Sequence, residues 1–169
     1  PMKECDPLSI SASITKQLKK GAFLTVKAGD VLNTMTIGWG LIGFIWQRPV
    51  FMVAVRDSRH TFSIMEKAAD FTVTLPTENM KEALMTCGTK SGRDLDKFKA
   101  CGLTPVPAQK TVTPVLKVQG IHLECVIRFK VTMDPRYLDP DLEDLYPAKD
   151  FHTLYFGEIA ACYETGARE

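Results

Sequence analysis

The feature that most restricts the fold is VFMVAV at 50–55, six apolar residues in a row, preceded by Pro49 and followed by Arg56-Asp57. A run this short with no polar alternation fits a strand covered on both faces. It predicts a central strand. The segments around it read as further strands. AFLTVKA at 22–28 alternates and closes on Gly29-Asp30, a turn signal that predicts a hairpin. NTMTIGWGLI at 33–42 carries Gly38 and Gly40, and glycines at alternate positions strip one face of side chains, so something must approach that backbone closely. FTVTL at 71–75 is a strand stopped by Pro76. VLKV at 115–118 and IHLECVIRFKVTM at 121–133 are two more, joined by a Gln119-Gly120 turn, and HTLYFGEIAACYE at 152–164 is the last, with Gly157 marking a bulge.

Helices are inserted between these strands. After Arg56-Asp57 the period changes, with Ser58 as N-cap and Phe62, Met65 and Ala69 at helical spacing. Met80 to Cys87 reads as a short helix ended by Gly88, and Leu95 to Cys101 as a helical turn closed by Gly102, with a polar loop at 89–97 between them. The segment 104–114 holds three prolines, which suit an extended edge or connection, and the acidic stretch 134–150 predicts a surface loop or short helix, a solvated feature more than part of a site. The order is mainly β with inserted helices, which points to an antiparallel barrel and not to an alternating βαβ sheet. At 169 residues, 1–169 is expected to be one domain.

Charge and cysteine usage narrow the function. Lys+Arg 21 against Asp+Glu 20 lacks the basic excess of a nucleic-acid or anionic-membrane binder. No apolar run reaches the roughly 18 residues of a membrane span, and no basic segment followed by an apolar stretch opens the chain, so the expectation is a cytoplasmic protein with no membrane partner. Cys5, Cys87, Cys101, Cys125 and Cys162 are odd in number and form no CxxC pair, which argues for reduced thiols. His60, His122 and His152 lack metal-ligand spacing, so no metal is expected.

The strongest chemical signal is Arg56-Asp57-Ser58-Arg59-His60-Thr61, where a strand delivers two arginines and two hydroxyls to a helix start. Guanidinium forks, hydroxyl donors and unpaired amides suit a phosphate; a plain helix cap with solvated arginines fits the residue types equally well. The loop Lys90-Ser91-Gly92-Arg93-Asp94 either adds donors to the same anion or is an ordinary surface loop. Asn33-Thr34-Met35-Thr36, with Gly38 and Gly40, offers short polar groups and open backbone to a flat heteroaromatic ring, or else is a twisted strand with glycines at its bends. GxGxxG, GxxxxGK[ST] and GxSxG are all missing, which favours chemistry carried by a bound cofactor.

Four blocks taken together, 33–76, 87–105, IHLEC at 121–125 and HTLYFGEI at 152–159, resemble the flavin reductase-like, FMN-binding split-barrel family, and within it the flavoredoxin branch. The resemblance implies a six-stranded Greek-key split barrel, a homodimer, and one FMN per subunit near the dimer interface. It places Asn33, Thr34, Met35 and Thr36 against the isoalloxazine ring. Arg56, Ser58, Arg59 and Thr61 fall on the phosphate, with further contacts from Ser91 and Lys97. His152 lies near the flavin or a nicotinamide and is the candidate catalytic residue, its alternative being a strand-end histidine bonded to backbone. Trp39 and Trp46 are read as core. The function implied is hydride or electron transfer with NAD(P)H as donor. The alternatives are a non-enzymatic electron carrier docking to a redox protein, and a binding module using the barrel for another ligand such as haem.

Overall fold

The computed structural model describes residues 1–166. Along the chain the elements are β1 (Met2–Glu4), α1 (Ser11–Leu18), β2 (Ala22–Ala28), β3 (Val31–Ile37), β4 (Gly40–Ile45), β5 (Arg48–Arg56), α2 (His60–Met65) and β6 (Asp70–Pro76). They continue with α3 (Lys81–Thr89), α4 (Lys97–Cys101), β7 (Pro105–Val106), β8 (Val115–Leu116), β9 (Gly120–Thr132), 3-10 turns at Pro135–Tyr137 and Pro140–Leu145, and β10 (His152–Thr165).

The main sheet runs β3-β2-β6-β9-β10-β5-β4, with β1 paired to the far end of β10. Every pairing in it is antiparallel. β5 and β6 are consecutive in the chain apart from α2, yet β9 and β10 lie between them in the sheet, which is the Greek-key element of the fold. β3 and β4 occupy opposite edges of the sheet but are joined by only Gly38-Trp39. Three Cα steps span at most about 11 Å. The sheet therefore has to curl until its edges nearly meet, giving a barrel with a split between β3 and β4.

The apolar run at 50–55 is the central strand that its composition predicts, paired to β10 on one side and β4 on the other. Phe51, Val53 and Val55 are fully buried and join Leu24, Val26, Phe71, Val73, Leu123 and Tyr155 in the main core. A second, smaller cluster of Phe23, Cys87, Leu103, Leu116 and Val118 lies under α3 and α4. The register of β9 against β10 shifts at Phe156/Gly157, a bulge at the expected glycine. A Cβ there would stand 2.7 Å from both Cys125 Cβ and the Phe71 ring, so the tight inner packing needs glycine.

Several local features differ from the sequence expectations. The strand read at 33–42 is two strands, because the chain must cross the split at Gly38-Trp39. That break and the short β1 make the main sheet eight-stranded where six were expected. Gly40 is explained from inside, since a Cβ would lie 2.9 Å from the Met52 carbonyl. Gly88 does not end α3 but lies within it, packed on the Thr36 side chain. Ser58 is not the cap of α2; Arg59 occupies that position without a side-chain cap bond. β8 pairs with β7 in a separate two-stranded sheet, so Gln119-Gly120 is no hairpin turn. The proline-rich connection is folded over two buried carboxylates: Asp70 accepts from Val112 and Thr113 N–H, and Glu124 from Gln109, Lys110 and Thr111 N–H.

Candidate functional site

The split carries Trp39, and a cleft of about 190 Å³ opens beside it, lined by Met35, Thr36, Ile37, Gly38, Ala54, Arg56, Arg59 and His152. The β5–β10 register sets His152 opposite Arg56. The His152 ring packs on Trp39 with centroids 5.3 Å apart, and its Nδ1 is 2.6 Å from the Tyr146 hydroxyl. Burial, and then the charge of Arg56, push the imidazole down to about 4. It is neutral at neutral pH, so it can offer one N–H or one lone pair but no charge.

Arg56 is half-buried and anchored by three contacts. Its guanidinium lies 4.7 Å over the Tyr146 ring, donates to the Leu145 carbonyl at 2.9 Å and pairs with Asp150 Oδ1 at 3.0 Å. Ser58 Oγ donates to the other oxygen of the same carboxylate at 2.9 Å. The bond from Ser58, aided by Arg56, holds the Asp150 carboxyl below its ordinary value. The acidic segment is thus tied to the turn and braces two residues that line the cleft, His152 through Tyr146 and Arg56 through Asp150.

A second cleft, of about 170 Å³, adjoins the first through Arg59 and is lined by Asn33, Ser58, His60, Thr61, Ser91, Arg93 and Lys97 among others. Asn33 Nδ2 donates to Thr61 Oγ1 at 3.0 Å, joining β3 to α2 at its floor. Gly92 closes over this pair, and a Cβ there would collide with Asn33 Oδ1. Lys97 is only 2% exposed and donates to the Cys87 carbonyl at 2.9 Å. Arg59 donates to the carbonyls of Gly88 at 3.0 Å and Cys87 at 3.4 Å. Among the described residues, neither cation forms an ion pair. Burial lowers the pKa of both. Burial also lowers that of His60, with the charges of Arg93 and Lys97 adding to it. Buried Lys97 and half-buried Arg59, answered by carbonyl dipoles and by no carboxylate among the described residues, are an arrangement suited to an anion.

The family model for the flavin reductase like domain matches residues 20–169. The chain belongs to that family. A relative from Archaeoglobus fulgidus is 28% identical over 138 residues, and one from Pyrococcus abyssi 27% identical over 135; both are uncharacterized proteins. These matches cover 81% and 79% of this chain but 68% and 66% of the relatives, so the chain spans about two thirds of their length. Among solved structures, flavoredoxin of Desulfovibrio vulgaris (Miyazaki F) superposes with a TM-score of 0.68 at 22% identity, covering 86% of this chain and 69% of that one. A putative flavin reductase with split barrel domain from Shewanella frigidimarina gives 0.68 at 14%, covering 97% and 68%. The NADH:FAD oxidoreductase of Streptomyces globisporus C-1027, solved with NAD and FAD fragments, gives 0.66 at 18%, covering 97% and 87%.

In this flavin reductase-like domain the residues singled out in the sequence divide between the two clefts. Asn33, Ser58, Arg59, Thr61, Ser91 and Lys97 line the polar cleft; Met35, Thr36, Arg56 and His152 line the other. Thr34 lines neither: it is fully buried, and its hydroxyl bonds Thr25 and the Leu24 carbonyl inside the sheet. Thr36 Oγ1 is engaged by the Leu84 carbonyl of α3. Ser58 and Arg56 both bond Asp150, and the cations lining the polar cleft are Arg59, Lys90, Arg93 and Lys97, of which Lys97 is buried. Trp39 and His60 also line the clefts, and Tyr146 and Asp150 hold His152 and Arg56 from outside them. Trp39 was legible as an aromatic between two glycines. No helix among the described residues is long and apolar enough to cross a membrane, and no three His, Cys, Asp or Glu side chains among them cluster to hold a metal ion.

Proposed function

We propose that this flavin reductase-like domain binds FMN, with the phosphate in the polar cleft and the ring in the cleft beside Trp39, and that it takes reducing equivalents from NAD(P)H. One observation carries the reading: buried Lys97 and half-buried Arg59, which have no carboxylate partner among the described residues, flank a small cleft whose other groups are Lys90, Arg93, His60, hydroxyls and an amide. That donor set fits a phosphate monoester. The adjoining cleft continues along β3 past Met35 to Gly38 and Trp39, a mixed polar and apolar wall suited to a flat ring.

Bound FMN supplies the hydride and electron chemistry. The chain's own residues bind, orient and exclude water. Arg59 and Lys97 hold the phosphate charge, and Gly92 keeps the loop close over Asn33. Arg56, fixed by Asp150 and Tyr146, lends positive potential to the ring cleft without touching the phosphate. His152, neutral and steered by Tyr146, presents a hydrogen-bonding edge there, which makes it the candidate catalytic residue. A homodimer is part of the proposal. The aromatic cluster of Trp46, Phe129 and Phe156, with ring centroids 5.8 to 6.2 Å apart, joins β9 and β10 to the β4–β5 turn, where Trp46 and Gln47 adopt φ of 54° and 57°. A second copy covering that cluster accounts for keeping a tryptophan in a turn that favours glycine or asparagine.

The test is the purified protein's absorption spectrum followed by NAD(P)H oxidation with free flavin or a ferric chelate as acceptor. Flavin bands and steady oxidation support the reading. A flavin that stays oxidised under excess NAD(P)H makes the protein an electron carrier for a redox partner, and a Soret band makes it a haem protein.

A further inference from the structure

We propose that Cys87 and Cys101 form a dithiol modification site, reached by small-molecule disulfides through the groove between α3 and α4, and that its oxidation locks one wall of the anion cleft. The two Sγ atoms are 4.0 Å apart. A disulfide needs about 2.05 Å between sulfurs, so about 2 Å of approach, shared by two side-chain rotations, closes the bond. The pair is asymmetric in access. Cys101 is half-buried and borders a groove of about 560 Å³ with Lys81, Glu82 and Thr86, whereas Cys87 is fully buried beneath it.

The chain between the two sulfurs is the part that matters. Residues 88–100 contribute Ser91, Gly92, Arg93 and Lys97 to the polar cleft. The Cys87 carbonyl is also the shared acceptor for Lys97 and Arg59. A covalent tie from 87 to 101 joins both ends of this wall and fixes the carbonyl that positions both cations.

The reaction is thiol–disulfide exchange. The Cys101 thiol loses its proton to solvent, and its sulfur attacks one sulfur of the small disulfide; that S–S bond breaks and one thiolate leaves. The Cys87 thiol then loses its proton and attacks the Cys101 sulfur, expelling the second thiolate. Two protein thiols are oxidised by two electrons and one small disulfide is reduced to two thiols. Burial, and then the neighbouring Cys101, push the Cys87 thiol up to about 12, while the Lys97 charge opposes them. Cys87 is thus the slow, resolving partner, and closure speeds up as pH rises.

Because the sulfurs already face each other across a formed wall, the disulfide holds that wall in its anion-ready shape. Oxidation then tightens FMN binding by about fivefold or more, and FMN makes the disulfide harder to reduce by the same factor. This coupling rests on the flavin reading; the oxidation does not. The experiment treats the full chain with oxidised glutathione in mildly alkaline buffer, followed by intact mass and peptide mapping without reductant. The expected product has lost two hydrogens, carries an 87–101 cross-link and is restored by dithiothreitol. Cys87→Ser should stop at a glutathione adduct on Cys101, and Cys101→Ser should form no cross-link. A Cys101 adduct on the unmodified chain that never resolves to the cross-link on prolonged alkaline incubation, a cross-link through other cysteines, or no reaction at all overturns the site. FMN titration of the two redox forms then separates the claims. Equal binding overturns the coupling alone, and no binding by either form overturns the flavin reading while the dithiol site stands.

Discussion

Removing the Arg59 guanidinium should separate FMN from riboflavin, ligands that differ only in the phosphate. Arg59 is held by two carbonyls and has no carboxylate partner among the described residues, which leaves donors to meet an anion. Charge-assisted hydrogen bonds contribute about 1.5 to 3 kcal/mol, and at about 1.4 kcal/mol per decade the Arg59→Ala variant should bind FMN about 10- to 150-fold more weakly. Riboflavin, with no phosphate, feels only the relaxation of the wall where the Gly88 and Cys87 carbonyls lose their donor, so its affinity should change little. Arg59→Lys keeps the charge but not the planar fork and should fall between. Quenching of flavin fluorescence on titration gives both dissociation constants. Equal losses for the two ligands would refute the phosphate assignment.

Lys97→Met should weaken FMN binding to a similar extent while leaving the ligand-free melting temperature unchanged or raised, because the buried ammonium carries a desolvation cost. A clear fall in the ligand-free melting temperature would mean that Lys97 serves mainly to hold the Cys87 carbonyl. Burial pushes both His122 and His152 down to about 4, below the unfolded value near 6.5. Their contribution to stability is therefore complete above about 6.5 and is lost as pH falls toward 4, by about 2 kcal/mol per histidine at pH 5. Urea midpoints that do not move between pH 7 and pH 5 would contradict that. His152→Gln should slow flavin reduction by NAD(P)H with FMN retention little changed, as read by stopped-flow kinetics; unaltered rates would return His152 to a packing role.

Strands were readable where burial alone fixes composition. VFMVAV declared β5, and AFLTVKA matches β2 at both ends. What a local pattern could not show is where the chain changes edges of a curled sheet. NTMTIGWGLI looks continuous, and only the closure of the barrel demands a break at Gly38-Trp39. Side-chain assignments failed to read through for the same reason. Ser58 has the composition of a cap, but Asp150, ninety-two residues away, claims its hydroxyl. Thr34 shares the NTMT motif with Asn33, yet strand alternation turns it into the sheet, where Thr25 and the Leu24 carbonyl take its hydroxyl. The acidic stretch looked solvated because its charges are mostly exposed; Tyr146 and Asp150, the two members that hold lining residues of the site, act on His152 of β10 and Arg56 of β5 and leave no periodic trace.

The most direct measurement is a crystal structure of the chain grown with FMN. Phosphate oxygens within hydrogen-bonding distance of Arg59 and Lys97, with the ring along residues 35 to 39, is the predicted result. A phosphate directed into solvent, or flavin lodged elsewhere with both cations still answered only by backbone carbonyls, would contradict the account.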